Sequence, residues 1–479
     1  MVIYRSTRGL SPPVPFDQAV LEGFSADGGL FVPDPVPRLT DARLQHWKSL
    51  GYVDLAKEVM SCYIDPEVVP KQDLGRLLDD SFTAFEHPDP PLVPLDKDGQ
   101  SWILELFHGP TLSFKDIAMG FLIRMMDYLL DRNDERLSLI LATTGDTGPA
   151  AAYAAAGRER INCWPLYPAG MISLEQEMQM TTVGAENVCP VAVHGCSNGG
   201  DDLDVVAARL FGDEPLKKRL KLSSVNSINI GRVLMQTVHY FYAYFRVAER
   251  LGDPLIFSIP AGAFGNFCGG ALARAMGLPI QFVCATNKNG TLHRIFSQGV
   301  FAKRPLRHSL SSAIDIVVPY NFWRFLYLAS SGDAELVNRA VVEFERDGTV
   351  QFDDALYDKL RYGVVSTSVS DARTLSTMSD LFQRTGYLLD PHGAVAVAGA
   401  EQCREKFAGD IACVSVATAH PAKFPEVIKQ ALPAGRQLPE AALHPSIEMA
   451  KQAATRLLTC RLEELEHRLQ EEIETSLRG

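Results

Sequence analysis

The chain has 479 residues, 46% of them hydrophobic, and its 58 acidic against 46 basic side chains leave a formal net charge of −12. That length supplies two or three packed domains of roughly 150 residues each. The acidic balance, without a long basic run, argues against nucleic acid or an anionic membrane surface as partner, so a small molecule is the expected ligand. Nine scattered cysteines, an odd number with no C-x-x-C pair, give no sign of a metal site or a disulfide framework and read as reduced. The start, Met-Val-Ile-Tyr-Arg-Ser-Thr-Arg-Gly, lacks the apolar core of a signal peptide, and no run of about 18 apolar residues occurs, so a cytoplasmic protein is expected.

Residues 1–95 alternate proline-rich turns, such as Pro33-Asp34-Pro35 and Pro88-Asp89-Pro90-Pro91, with amphipathic stretches such as Tyr52 to Ile64, and read as a helical N-terminal cap. From Trp102 onward, short apolar runs stop at polar or small residues and lead into alanine-rich helical stretches. This is the rhythm of an open α/β sheet. Four strand-to-loop junctions stand out: Ile103 to Phe107, Leu137 to Ala142, Leu255 to Ile259 and Ile411 to Ala417. Ligands bind at the carboxyl ends of parallel strands, so the site is expected where these four meet. The pattern divides into α/β domains over 96–250 and 251–432, with helices between 325 and 385 decorating the second. After Pro433 a helical tail is expected over 433–479. Its Leu458, Leu462, Leu465, Leu469 and Ile473 form a narrow apolar stripe that suits a helix packed on its own core better than a coiled coil.

The first junction leads through His108-Gly109-Pro110-Thr111-Leu112-Ser113-Phe114 to Lys115 and Asp116. Lys115 opens a helix beside apolar residues, where burial and the positive helix end both disfavour an ammonium, as Schiff-base chemistry requires. Most lysines at helix starts are simply solvated, so the run alone carries little. The second junction, Thr143-Thr144-Gly145-Asp146-Thr147-Gly148-Pro149, sets hydroxyls and glycine amides ahead of a small-residue helix and suits an anion, although plain turns look alike. At the third, Pro260-Ala261-Gly262-Ala263-Phe264-Gly265-Asn266, glycines permit close approach to a phosphate ahead of the helix Cys268 to Met276. The fourth runs from Ala417 and Thr418 through His420 and Pro421 to Lys423 and Phe424, and puts a neutral hydroxyl at a strand end.

Together these segments resemble threonine synthases, pyridoxal-phosphate enzymes of fold type II that convert O-phosphohomoserine to threonine. The likeness spans nearly the whole chain, through Tyr4-Arg5-Ser6-Thr7-Arg8-Gly9, Asp27-Gly28-Gly29-Leu30, Gln179-Met180-Thr181-Thr182, Asn226-Ser227-Ile228-Asn229, Ala285-Thr286-Asn287 and Asp390-Pro391-His392. It implies two open α/β domains with an N-terminal cap and a C-terminal helical tail, in a monomer or homodimer with no metal. It makes Lys115 the lysine that holds pyridoxal 5'-phosphate and shuttles protons, the first α/β domain the carrier of Lys115 and the second the seat of the cofactor phosphate. Gly262, Ala263, Phe264, Gly265 and Asn266 become that phosphate loop, and Thr418 the partner of the pyridine nitrogen. Thr144, Gly145, Asp146 and Thr147 become the seat of the substrate carboxylate. Asn226, Asn229 and Arg232, in a stretch resembling N-S-I-N-x-x-R, fall to the substrate, with Arg232 on its phosphate.

The chain departs from the family's usual P-S-G-N-F-G-N at Ala261 and Ala263, from G-T-F-D-D over Gly195 to Asp202, from D-P-H-T at Gly393, and at Gly290, where an acid usually follows the residue matching Asn289. Ala263, with Pro319-Tyr320-Asn321 nearby, also resembles threonine synthase-like phospholyases, which release 2-oxobutyrate, ammonia and phosphate. The resemblance thus implies hydration to threonine, with elimination alone, or addition of another nucleophile, as alternatives. A cofactor-free scaffold is the reading from a different class, and retention of Lys115, the glycine loop and Thr418 argues against it.

Overall fold

The computed structural model describes residues 2–433, 435 and 437–478. Two sheets organise them. The larger has the strand order Val364–Ser368, Ile280–Thr286, Leu255–Pro260, Cys413–Ala417, Ser101–Glu105, Leu92–Pro94, parallel except for the last pair. The smaller runs Leu458–Arg461, Val191–His194, Ile161–Pro168, Leu137–Ala142, Leu222–Ser223, all parallel. Segments 96–250 and 251–432 therefore both supply strands to the larger sheet. Leu255–Pro260 is buried at every position, as a strand covered by helices on both faces must be. The four expected junctions are all parallel strands, and only their ends differ from the sequence reading: Ser101 pairs with Cys413 and starts its strand two residues early, because register with a neighbour and not local hydropathy sets the end.

Helix Lys115–Asn133 packs against helices Thr147–Ala155, Ile230–Gln236 and Lys71–Phe82. Being covered on several sides, it buries Ile117, Ala118, Phe121, Leu122, Met125 and Met126 and shows no clean polar face. It ends at Asp134, whose φ of 51° gives the left-handed cap that stops helices. Among the described residues no helix is long and apolar enough to cross a membrane, and all nine cysteines are free thiols.

The first residues form an antiparallel pair, Ile3–Ser6 with Phe31–Asp34, and the helices Phe16–Glu22, Asp41–Trp47, Tyr52–Met60 and Lys71–Phe82. Tyr52, Leu55, Ala56 and Val59 are buried on one face of theirs, which is the amphipathic pattern expected there. Between the two strands, Ser6 Oγ and Gly29 N donate to Asp27 Oδ1 at 2.6 and 2.9 Å, and Leu10 N to Oδ2 at 2.9 Å. A Cβ on Gly29 would lie 2.1 Å from Ser6 Oγ. Gly29→Ala is therefore expected to cost ~1–3 kcal/mol by overpacking, measured by urea unfolding; an unchanged midpoint would mean that this turn relaxes freely.

The stripe read near the C-terminus is part strand and part helix. Leu458–Arg461 is a strand that pairs with Val191–His194, while Leu465, Leu469 and Ile473 lie on helix Leu465–Arg478 and are buried against Leu210, Phe211 and Leu220. Leu458 and Leu462 thus do not share the helix. The free edge of Val191–His194 captures the segment, and sheet pairing overrides the helical spacing. Packing of the helix onto the protein's own core is as expected.

Candidate active site

A cavity of about 700 Å³ opens at the carboxyl ends of strands from both sheets, lined among others by Lys115, Thr144, Arg232, Ala263, His392 and Thr418. All four junctions read from the sequence reach it.

Lys115 is held by the loop before it. Thr111 donates to the Asp116 carboxylate from its backbone N at 2.9 Å and from Oγ1 at 2.6 Å, and Phe114 N donates to Thr418 O at 2.9 Å. A Cβ on Gly109 would fall 2.5 Å from Asp116 Cβ, so only glycine lets the carboxylate lie across the turn. Burial pushes the Asp116 carboxyl up to about 6. Lys115 itself is half-buried, facing the cavity. Burial pushes its ammonium down to about 8; Asp146 opposes that shift, and Arg232 and Lys423 add to it. An amine so placed gives up its proton within reach of neutral pH.

In the second loop Thr144, Asp146 and Thr147 line the cavity, and Gly145 lies behind them, where a Cβ would be 2.3 Å from Gln176 Nε2. One oxygen of the Asp146 carboxylate is already taken. Its Oδ1 accepts from Lys423 Nζ at 2.8 Å and from Gln176 Nε2 at 2.9 Å.

At the third loop Phe264 takes a left-handed φ of 66°, and helix Gly265–Met276 starts immediately after it. The strain is offset by stacking on Phe267, ring centroids 4.3 Å apart, and by an edge contact with Phe325. Gly262 lies where a Cβ would sit 2.8 Å from Ile314 Cα. Asn266 Oδ1 accepts from His239 Nε2 at 2.8 Å and Tyr240 Oη at 3.0 Å, while Nδ2, buried, has no partner. Burial pushes His239 down to about 4, so the ring is neutral and donates from Nε2. A glycine-lined helix start with an orphan amide donor suits a phosphate.

Arg232 and Asn229 part company. Arg232 is 1% exposed and lines the cavity, its Nε has no partner and one terminal nitrogen reaches only Val225 O at 3.3 Å. Burial pushes it down to about 10. Asn229 is fully buried away from the cavity lining: its amide donates to Val20 O and Ser224 O and accepts from Gly231 N, capping helix Ile230–Gln236. The motif put both on the substrate, but the cap uses every polar atom of the Asn229 side chain. Asn226 does line the cavity. Arg324, also fully buried, is satisfied by Phe31 O, Ser227 O, Ile228 O and Asn321 Oδ1, so of these two fully buried guanidiniums Arg232 is the one with a spare donor.

Two contributors escaped the sequence reading. His392 Nε2 accepts from Ala313 N at 3.1 Å, so Nδ1 carries the proton and donates to Asp390 Oδ1 at 2.8 Å. Lys423, fully buried, binds Asp146 and Thr111 O. The only signals were the runs Asp390-Pro391-His392 and Ala419 to Phe424, whose apolar setting hints at burial.

Comparison with known proteins gives this geometry its setting. Residues 3–82 match the family model for the threonine synthase N terminus, 88–342 that for pyridoxal-phosphate dependent enzymes, and 393–468 that for the threonine synthase C-terminal region. The chain is 38% identical over 433 residues to threonine synthase-like 2 of Mus musculus, covering 89% of each protein. It is 38% identical over 463 residues to threonine synthase of Schizosaccharomyces pombe, covering 90% of this chain and 89% of that one. The crystal structure of threonine synthase from Brucella melitensis with bound pyridoxal phosphate superposes with a TM-score of 0.89 at 34% identity, over 98% of this chain and 99% of that one. Yeast threonine synthase gives 0.90 at 33%, over 99% of each. An amine of lowered proton affinity, a glycine cradle and the orphan Asn266 amide fit pyridoxal phosphate. The chain belongs to the threonine synthase family of pyridoxal-phosphate-dependent lyases.

Proposed function

We propose that the chain converts O-phosphohomoserine and water to threonine and phosphate, and that Lys115 is the residue that holds the cofactor. The observation that carries the substrate assignment is Arg232. A guanidinium buried without a carboxylate partner among the described residues is costly, and an anion entering the cavity repays that cost. The glycine loop over 262–266 serves the cofactor phosphate, so Arg232, with Asn226 also on the cavity lining, is left for a second one. A planar guanidinium takes two phosphate oxygens at once.

Pyridoxal phosphate, when bound, supplies the electron sink that makes carbon-bound protons near the substrate amine removable. With the cofactor in place, Lys115 would be a base of suitable strength to take the α-proton and return protons along the carbon chain. The Thr144 to Thr147 loop offers backbone amides and hydroxyls to the substrate carboxylate. The bond to Lys423 offsets the charge of Asp146 there. Thr418 would offer a neutral hydroxyl to the cofactor ring, and Arg232 would anchor the substrate phosphate. Water added at the β-carbon completes threonine; where water instead hydrolyses the C–N bond left after elimination, the products are 2-oxobutyrate and ammonia.

The second outcome has one observation in its favour, the methyl group of Ala263 where the family usually carries an amide. Aiming a single water at one carbon face needs fixed donors. Threonine is expected as the main product from O-phosphohomoserine in isotopic water, with 2-oxobutyrate measurable beside it by mass spectrometry. Ala263→Asn is expected to shift the partition toward threonine. Threonine alone, unchanged by the substitution, would free Ala263 of any part in hydration; 2-oxobutyrate alone would make the protein a phospholyase.

A further inference from the structure

Lys423 closes the short turn Pro421–Lys423 after the strand end that carries Thr418, and is fully buried. Its Nζ lies 2.8 Å from Asp146 Oδ1 and donates to Thr111 O at 2.9 Å. Gln179 Nε2 donates to the same Thr111 oxygen at 3.1 Å. The loops of Lys115, Asp146 and Thr418 thus converge on one ammonium. A buried ion pair stabilises a fold poorly, because desolvation offsets most of the attraction. This pair therefore needs another account.

We propose that Lys423 is a positioning residue that occupies the Asp146 carboxylate and keeps it from capturing Lys115 as an ammonium. The proposal rests on the assignment of Lys115 to the cofactor. Three charged groups bear on Lys115: Asp146 from the cap of helix Thr147–Ala155, Arg232 from helix Ile230–Gln236, and Lys423. Asp116, next to it in sequence, is turned to Thr111, and His392 from helix Pro391–Cys403 bears on Asp146. Burial works against the Asp146 carboxylate, yet Lys423 first, then Lys115 and His392, hold it well below the usual range.

Without Lys423, Lys115 is the group left that bears most on Asp146, ahead of His392, and the Lys115 nitrogen keeps its proton to higher pH. Without the Asp146 charge, Lys423 and Arg232 act on Lys115 unopposed, and the proton leaves at lower pH. The two substitutions thus act with opposite sign, whereas loosened packing would move both variants the same way. These charges act on the same nitrogen whether it is free or linked to the cofactor.

The test is a pH titration of the cofactor's visible absorbance in the holoenzyme and in Lys423→Met, Asp146→Asn and the double variant, with peptide mapping after borohydride reduction. The midpoint is expected to rise by about one pH unit in Lys423→Met, to fall by about one in Asp146→Asn, and to return close to the wild-type value in the double variant. Shifts of equal sign, or none, with the tag on Lys115 would overturn the proposal. Should Lys423→Met fail to fold, an absent or upward shift in Asp146→Asn overturns it alone. A tag on another lysine would instead overturn the assignment on which the proposal rests.

Discussion

Lys115→Ala is expected to leave a folded protein that holds pyridoxal phosphate without a covalent link and turns over substrate at least about 10⁴-fold more slowly, the upper scale for losing a positioned acid–base group. The loop that presents Lys115 is fixed by Asp116, Thr111, Gly109 and the Phe114 to Thr418 bond, none of which uses the lysine side chain. Folding should therefore survive. Cofactor should still sit in the glycine loop and against Thr418, which do not move. Borohydride reduction followed by peptide mapping decides the point: the wild type should carry the tag on the peptide holding Lys115, and the variant should carry none. A tag retained in the variant would place the covalent link elsewhere.

Arg232→Met should separate binding of substrate from binding of cofactor. The substitution keeps most of the volume and removes a charge that, in the ligand-free protein, lacks a partner on Nε. Phospho-substrate binding is expected to weaken by ~2–4 kcal/mol, the scale for a charge-assisted partner in a closed site. Cofactor content should be unchanged. Because an unpaired buried charge costs stability, thermal unfolding of the ligand-free variant should occur at an equal or higher temperature than in the wild type. Loss of cofactor with intact substrate affinity would assign Arg232 to the cofactor phosphate instead.

What the sequence made legible was local. The glycine loop and Thr418 follow directly on strand ends, a one-dimensional signal, whereas Lys115 opens a helix ten residues beyond Glu105 and the run before it carries little alone. Asn229 was misplaced because a capping asparagine and a ligand-binding one look the same in a motif; only the bonds to Val20 and Ser224 tell them apart. Lys423 carries no such signal, since a lysine reads as exposed until the loops that bury it are assembled. The strand Leu458–Arg461 was hidden for the related reason that its partner, Val191–His194, lies far off in sequence.

The order of the larger sheet has a consequence for how the enzyme comes into being on the ribosome. Cys413–Ala417, the last of its strands to be synthesised, lies between Leu255–Pro260 and Ser101–Glu105. Until it emerges, the halves of that sheet have no common neighbour, and the edges they present are open to wrong partners. The same strand delivers Thr418 and Lys423, so the cofactor site and the closure of the sheet arrive in one event. A nascent chain stopped before residue 413 will hold neither a continuous sheet nor a site able to take up the cofactor, and partial translation products should be both inactive and prone to aggregate.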